Sequence, residues 1–261
     1  MPHRDQQAQS DTLDMVYGAI DRQHADKSAA TRRRFIAGSS ATLGSMGLLG
    51  ILPQLASGAK TNWATGDNSV QNILNIAATA EVLATIVNTV GPEKVELDAV
   101  TKLNIQAAAR EELIHYEALT GALGAKPLTT TIYVPDEVFA SKENLLNTLV
   151  TGDQIFVNAY LLGTSVFART GKMPKQARYA AEIMGVEAVH RALALQSLGK
   201  LGNDRAYMEF KFVNIMTAVK LLEGAGFGFG KMGSKPGTAY DYAEVSKRTP
   251  NPEGINTLTV A

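Results

Sequence analysis

The chain contains no cysteine. Disulfides, iron–sulfur clusters and thiolate zinc sites are therefore excluded. It also has no net charge, with 25 Lys and Arg against 25 Asp and Glu. That balance argues against a protein built to grip nucleic acid or an anionic membrane. A long uninterrupted hydrophobic run near the start is missing too. The apolar stretch from Phe35 to Leu55 is rich in Gly and Ser and is broken by Pro53, so no stable membrane span is expected there. Histidine is scarce: there are four in 261 residues, and two of them, His3 and His24, fall in the first thirty. Only His115 and His190 remain for chemistry in the rest of the chain.

The first sixty residues differ in composition from the remainder of the chain. Residues 1–30 are polar, without a helical period. Arg32, Arg33 and Arg34 then precede Phe35 and a weakly apolar run that ends on the small residues Ser57, Gly58 and Ala59. This order of arginines, moderate apolar run and small-residue end reads as a twin-arginine export signal behind a long leader. The competing reading is a basic linker before a buried helix. Export predicts the twin-arginine machinery as a partner and a periplasmic or secreted destination. That route carries folded proteins, often already loaded with metal. The expected organisation is a leader over 1–59, a helical bundle over 60–225 and an irregular tail over 226–261.

After residue 60 the apolar fraction, 45% overall, is enough for one sizeable core. Four apolar-periodic segments predict helices over 70–90, 98–123, 144–168 and 175–198. Gly91-Pro92 reads as the stop of the first, Gly124 of the second and Gly199 of the fourth, with Pro174 opening the fourth. A fifth helix is expected over 204–223. The glycine-rich "GAGFGFGKMGSKPG" after it lacks the strand and helix of a phosphate loop, and reads as a flexible, irregular segment. Short turns join helices one to two and three to four, which makes each pair antiparallel. The twenty residues "GAKPLTTTIYVPDEVFASKE" between helices two and three are too long for a simple turn. The predicted fold is therefore all-α: two antiparallel helical hairpins joined by a long crossover, with an additional C-terminal helix.

Polar residues on the apolar faces of these helices carry the functional signal. Ile105, Ala108, Glu112, His115 and Leu119 share one face of the second helix, and Ala180, Ile183, Glu187, His190 and Ala194 share one face of the fourth. Glu-x-x-His thus occurs twice. The first helix has one internal acid, Glu81, and the third has Asp153 on a face with Leu146, Leu149, Val157 and Tyr160. Glu81 precedes Glu112 by 31 residues and Asp153 precedes Glu187 by 34, a pattern that looks like an internal repeat of hairpins. Four carboxylates in one core would repel and be desolvated at several kcal/mol per unpaired charge. Two divalent cations cancel that charge, with one neutral imidazole for each. Oxygen-rich ligation with imidazole suits iron, with manganese as the alternative, better than structural zinc. The predicted metal ligands are Glu81, Glu112, His115, Asp153, Glu187 and His190. With both histidines in these pairs, Ser-His-Asp chemistry has no support. Tyr160, two turns beyond Asp153 on the same face, reads as a core tyrosine with a satisfied hydroxyl, the alternative being a hydrogen bond to a metal ligand or a redox neighbour of the site. Tyr116 reads as packing, and Glu111 and Glu117 read as a solvated face.

This arrangement resembles the ferritin-like di-iron carboxylate superfamily. Within it, the chain resembles exported bacterial proteins related to plant desiccation-related proteins. "AREELIHYEAL" and "GDQIFVNAYLLG" carry the likeness, which covers about residues 69–201. The resemblance implies a ferritin-like four-helix bundle holding two metals on the same six residues. It departs at one position, because the third-helix acid of that group is usually glutamate and here it is Asp153. Two functions follow as expectations. One is a redox centre reacting with O₂ or peroxide, ferroxidase- or catalase-like. The other is a non-catalytic envelope protein that protects under desiccation or other stress, with a structural or vestigial metal site. A homo-oligomer is compatible with both.

Overall fold

The computed structural model describes residues 66–258. The arginine-led segment and the rest of the expected leader lie outside the described residues. Helix α1 spans Val70–Lys94 and starts at Ser69, whose hydroxyl accepts the Asn72 N–H. Its residues are buried without a break from Ile76 to Pro92, so it is the central helix of the bundle. It is long and apolar enough to cross a membrane by composition alone, but 89% of its most apolar window is buried by the rest of the fold. The sequence places a stop at Gly91-Pro92, and the helix runs through it. A residue before proline is pushed out of helical geometry partly by its own Cβ, and glycine has none. A Cβ on Gly91 would also come within 2.9 Å of the Leu145 side chain, so glycine lets a second helix approach here.

Helix α2 spans Ala99–Glu117. Asp98 caps it by accepting the Thr101 N–H at 2.9 Å, and Lys142 reaches the other carboxylate oxygen at 2.8 Å. A π turn, Ala118–Ala122, ends the helix just beyond His115. Helix α3 spans Lys142–Arg169, with Ser141 as its cap, and α4 spans Pro174–Ser197. Pro174 stands at the start of α4, where a missing N–H costs nothing. These four helices form two antiparallel hairpins joined by a long crossover, which is the expected bundle.

The crossover and the tail depart from expectation together. The crossover contains strand β1, Thr131–Pro135. The tail contributes β2, Gly228–Phe229, and β3, Gly237–Asp241, and these flank β1 on either side, both antiparallel. The residues expected to be irregular therefore build a small sheet over the crossover. The glycines reflect close packing there: a Cβ on Gly228 would lie 2.1 Å from the Lys231 carbonyl oxygen, and one on Gly237 2.5 Å from that of Val134.

The fifth helix, α5, is present but begins at Met216 rather than at 204, and ends at Gly224. Side chains of the bundle take the backbone groups of the preceding segment. Asn158 accepts the Lys211 N–H at 2.6 Å, and Gln154 donates to the Met208 carbonyl at 3.0 Å. Asn68, itself buried, donates to the Val213 carbonyl and accepts the Ile215 N–H. Arg191 holds Asp204 through two 2.8 Å bonds. With partners supplied from outside, the segment has no need of a helical ladder. A short helix α6, Tyr242–Val245, follows the last strand, and Tyr242 packs on Tyr116 with ring centroids 4.5 Å apart.

Candidate metal centre

Two turns of α1 and α2 set the first half of the site. Both helices are buried on the face that carries Glu81, Glu112 and His115, and both glutamates are fully shielded from solvent. On α2 the i, i+3 spacing stacks His115 beside Glu112. The His115 Nδ1 lies 3.2 Å from Glu112 Oε2 and 3.7 Å from Glu81 Oε2. From α4, Glu187 enters the same space, also fully buried. One ligand-type atom each from Glu81, Glu112, His115 and Glu187 lies within 4.8 Å of the others.

His190 completes the approach from the other side. Its Nδ1 lies 3.2 Å from Glu112 Oε1 and 3.7 Å from Glu187 Oε2. Neither contact is aligned as a hydrogen bond, and Nδ1 is left without a partner. Its Nε2 lies 2.7 Å from Glu111 Oε2. An Nε2–H donated to Glu111 fixes the ring and leaves the Nδ1 lone pair facing the carboxylates, the arrangement by which outer carboxylates orient metal-ligating histidines. The sequence alone reads Glu111 as part of a solvated face. Its i, i+4 partner on the neighbouring turn is His115, and only the packing of α2 on α4 shows that it serves His190 instead.

Asp153 and His190 both fall outside the group of four mutually converging ligand atoms. Asp153 is buried, its Oδ2 has no partner, and it feels the charges of His190 and Glu112. With His190 it lines a cavity of about 20 Å³. Its register differs from that of the other predicted ligands. Glu112 and Glu187 are 75 residues apart, as are His115 and His190, and the same offset carries Glu81 to Phe156. Asp153 falls three residues earlier, almost one helical turn, or ~4.5 Å along the axis. Where the repeat would place a fourth carboxylate, α3 carries a buried phenylalanine.

Tyr160 is the α3 residue that does reach the cluster. Its hydroxyl, 5% exposed as a residue, donates to Glu81 Oε1. The expectation of a core tyrosine with a satisfied hydroxyl describes it, and the partner is a candidate ligand.

The protonation pattern follows from this crowding. Burial first, then the neighbouring Glu112 charge, raise Glu81 from 4.5 to about 8. Burial and Glu112 raise Glu187 in the same direction. Burial also opposes ionisation of Glu112, but hydrogen bonding to His115 and the charge of His190 outweigh it and hold Glu112 below the ordinary carboxylate range. Burial disfavours a charged His115, yet Glu112 and Glu81 lift it from 6.5 to about 10. His190 rises likewise through Glu111 and Glu112, against burial. Burial raises Asp153, and burial with Glu81 raises Tyr160.

A divalent cation fits this set by its unmet valences. Glu81 Oε2, Glu112 Oε1 and both oxygens of Glu187 are buried without hydrogen-bond partners, as is His190 Nδ1. Buried polar atoms are nearly always paired, and a cation would satisfy these five orphans, while a further orphan, the Asp153 Oδ2, lies in the cavity beside His190. Carboxylate oxygens with two imidazole nitrogens are donors for a pair of divalent ions.

A family model described as a ferritin-like domain matches residues 69–200, half of the chain, and the chain belongs to that family. Searches of curated proteins and of solved structures returned no match.

Proposed function

From membership of the ferritin-like family, we propose that the protein is an exported di-metal centre, iron or manganese, that reacts with O₂ or peroxide in oxidation or stress protection. The observation that carries the reading is the set of orphaned oxygens on three fully buried glutamates, beside two histidines whose Nδ1 atoms face them. Glu112 and Glu187 lie between the two histidines and would supply carboxylate oxygens to the ions. Glu81, His115 and His190, the last oriented by Glu111, would complete the donor set. Iron or manganese held there would supply the redox couple. Tyr160 holds a proton on its hydroxyl against Glu81 and so orients that carboxylate. The surrounding Ile, Leu, Val and Ala side chains exclude bulk water, which strengthens each charge interaction inside.

The site is asymmetric, and that favours a second reading. Counted by the repeat, Phe156 stands where Glu81 has its counterpart, so the α3–α4 hairpin offers one carboxylate fewer at that level. A non-catalytic stress protein that retains metal for stability fits such a site. One experiment separates the two. The purified protein is analysed for metals per chain, then reduced, and its optical spectrum is followed on adding O₂ or peroxide. The enzyme reading expects close to two ions and a new absorption band. Metal without any spectral response leaves the structural reading, and absence of metal removes the redox reading and leaves a non-catalytic protein with a vestigial site.

A further inference from the structure

An apolar cavity of about 240 Å³ lies against the metal-side face of α1 and α3. Ile73, Ala77 and Ala80 of α1, Phe156 and Tyr160 of α3 and Leu222 of α5 form much of its wall. Protein interiors pack to crystal-like density and hold few voids larger than a water. A dry apolar cavity of about 150 Å³ is already enough to take up benzene. This one is larger, and Tyr160 connects it to the metal cluster. Tyr160 is shared by both, its ring in the cavity wall and its hydroxyl on Glu81. Phe156, standing where the repeat calls for a carboxylate, adds a hydrocarbon ring to the cavity wall.

The hydroxyls of the wall are already committed, and its one side-chain amide, that of Gln176, is neutral. The Thr79 hydroxyl donates to the Asn75 carbonyl and accepts the Leu128 N–H, both at 2.8 Å. The Thr129 hydroxyl is hydrogen-bonded to the Thr131 backbone, and Tyr160 is bound to Glu81. Among the described residues, no lysine or arginine lines the space, and its one charged residue, the exposed Glu223, is an anion at the rim. The wall therefore offers no stabilisation to a carboxylate or phosphate, and the rim repels them.

We propose that this cavity binds an uncharged, largely apolar small molecule, aliphatic or aromatic, with one end held at Tyr160 beside the metal cluster. That such a molecule is the organic substrate of the centre rests on the di-metal reading; its binding does not. The test uses the full chain and the uncharged fluorophore N-phenyl-1-naphthylamine. The wild type should enhance its fluorescence, 1-octanol should displace it, and octanoate should compete far less well. Two cavity-filling variants, Ala218→Leu and Ala159→Phe, should each weaken probe binding by about tenfold or more, with melting temperature no lower than wild type. A wild type that does not bind the probe, or variants that bind it as tightly, overturn the proposal. Octanoate competing as well as octanol overturns the uncharged class. Metals per chain are measured on the same samples. Loss of the metal reading appears there, as protein without metal, whereas loss of this one appears only in the probe.

Discussion

At the scale of single residues, the site depends on which atom of each ring faces the carboxylates. Both histidines present Nδ1 to them, His115 at 3.2 Å from Glu112 Oε2 and His190 at 3.2 Å from Glu112 Oε1. Glu112 is thus shared, and it is the residue whose ionised form the site favours most. Glu111 acts one step further out, through His190 Nε2. Removing such an orienting carboxylate typically lowers metal affinity by about 10–100-fold. Glu111→Ala should therefore lose metal at lower chelator concentration than wild type, while Asp153→Asn, outside the converging atoms, should hold it normally. Glu187→Gln and His115→Ala remove direct ligands and should lose metal without chelator. Metals per chain after dialysis against graded chelator measures all four. Asp153→Asn losing as much metal as Glu187→Gln would show that Asp153 is a ligand after all.

At the scale of elements, the four helices and the two Glu-x-x-His pairs were legible because each rests on a local period. The 3.6-residue repeat marks the buried faces, and i, i+3 spacing alone puts Glu beside His. The acid on α3 was not legible in the same way. Any buried carboxylate on that helix looks equivalent by hydrophobic period, and the offset of Asp153 from the repeat shows only when the two hairpins are counted against each other. The difference between steps of 31 and 34 residues carried that information. Glu111, also, is assigned by a neighbouring helix and not by its own. The small sheet escaped because "TTTIYVP" gains strand partners from a segment about a hundred residues later, beyond any local pattern. The stop expected at Gly91-Pro92 yielded to burial against Leu145, a tertiary effect that overrides propensity. Register has a direct test. Phe156→Glu should supply the carboxylate at the level where the repeat wants it. It should raise metals per chain, or the affinity for the second ion, relative to wild type. In chelator the same variant should be less stable by about 3–5 kcal/mol, since it loses a buried ring and buries an acid. Calorimetry with and without metal checks both halves. A variant destabilised equally in both conditions would place Phe156 away from the second ion.

At the scale of the whole molecule, two properties extend beyond the bundle. Export is a proposal drawn from Arg32, Arg33 and Arg34 before Phe35. Replacing all three with Lys should leave the chain in the cytoplasm, as cell fractionation would show; normal periplasmic levels would count against the route. The second property is the dependence of stability on pH, summed over the cluster. Glu81 has a folded value of about 8 against 4.5, and His115 about 10 against 6.5. A group raised on folding contributes stability that is complete below its unfolded value and lost as pH climbs through its folded value. Glu81 therefore withdraws stability between about 4.5 and 8, and His115 between about 6.5 and 10. Glu187 and His190, also raised, act in the same direction. Glu112, lowered, acts the other way, but only in acid, below the ordinary carboxylate value of 4.5. The chelated protein should therefore be most stable near pH 5 and lose melting temperature steadily toward about pH 9. Metal reverses the slope of its own contribution, because a cation must displace the protons held by Glu81, His115 and Glu187, and those leave more readily as pH rises. The melting temperatures of loaded and chelated protein should thus diverge as pH increases, with the gap smallest in acid. Thermal scans at intervals between about pH 5 and pH 9, each with and without chelator, give the answer. A chelated form whose melting temperature is flat or rising across that range would mean that these carboxylates are not crowded together without metal.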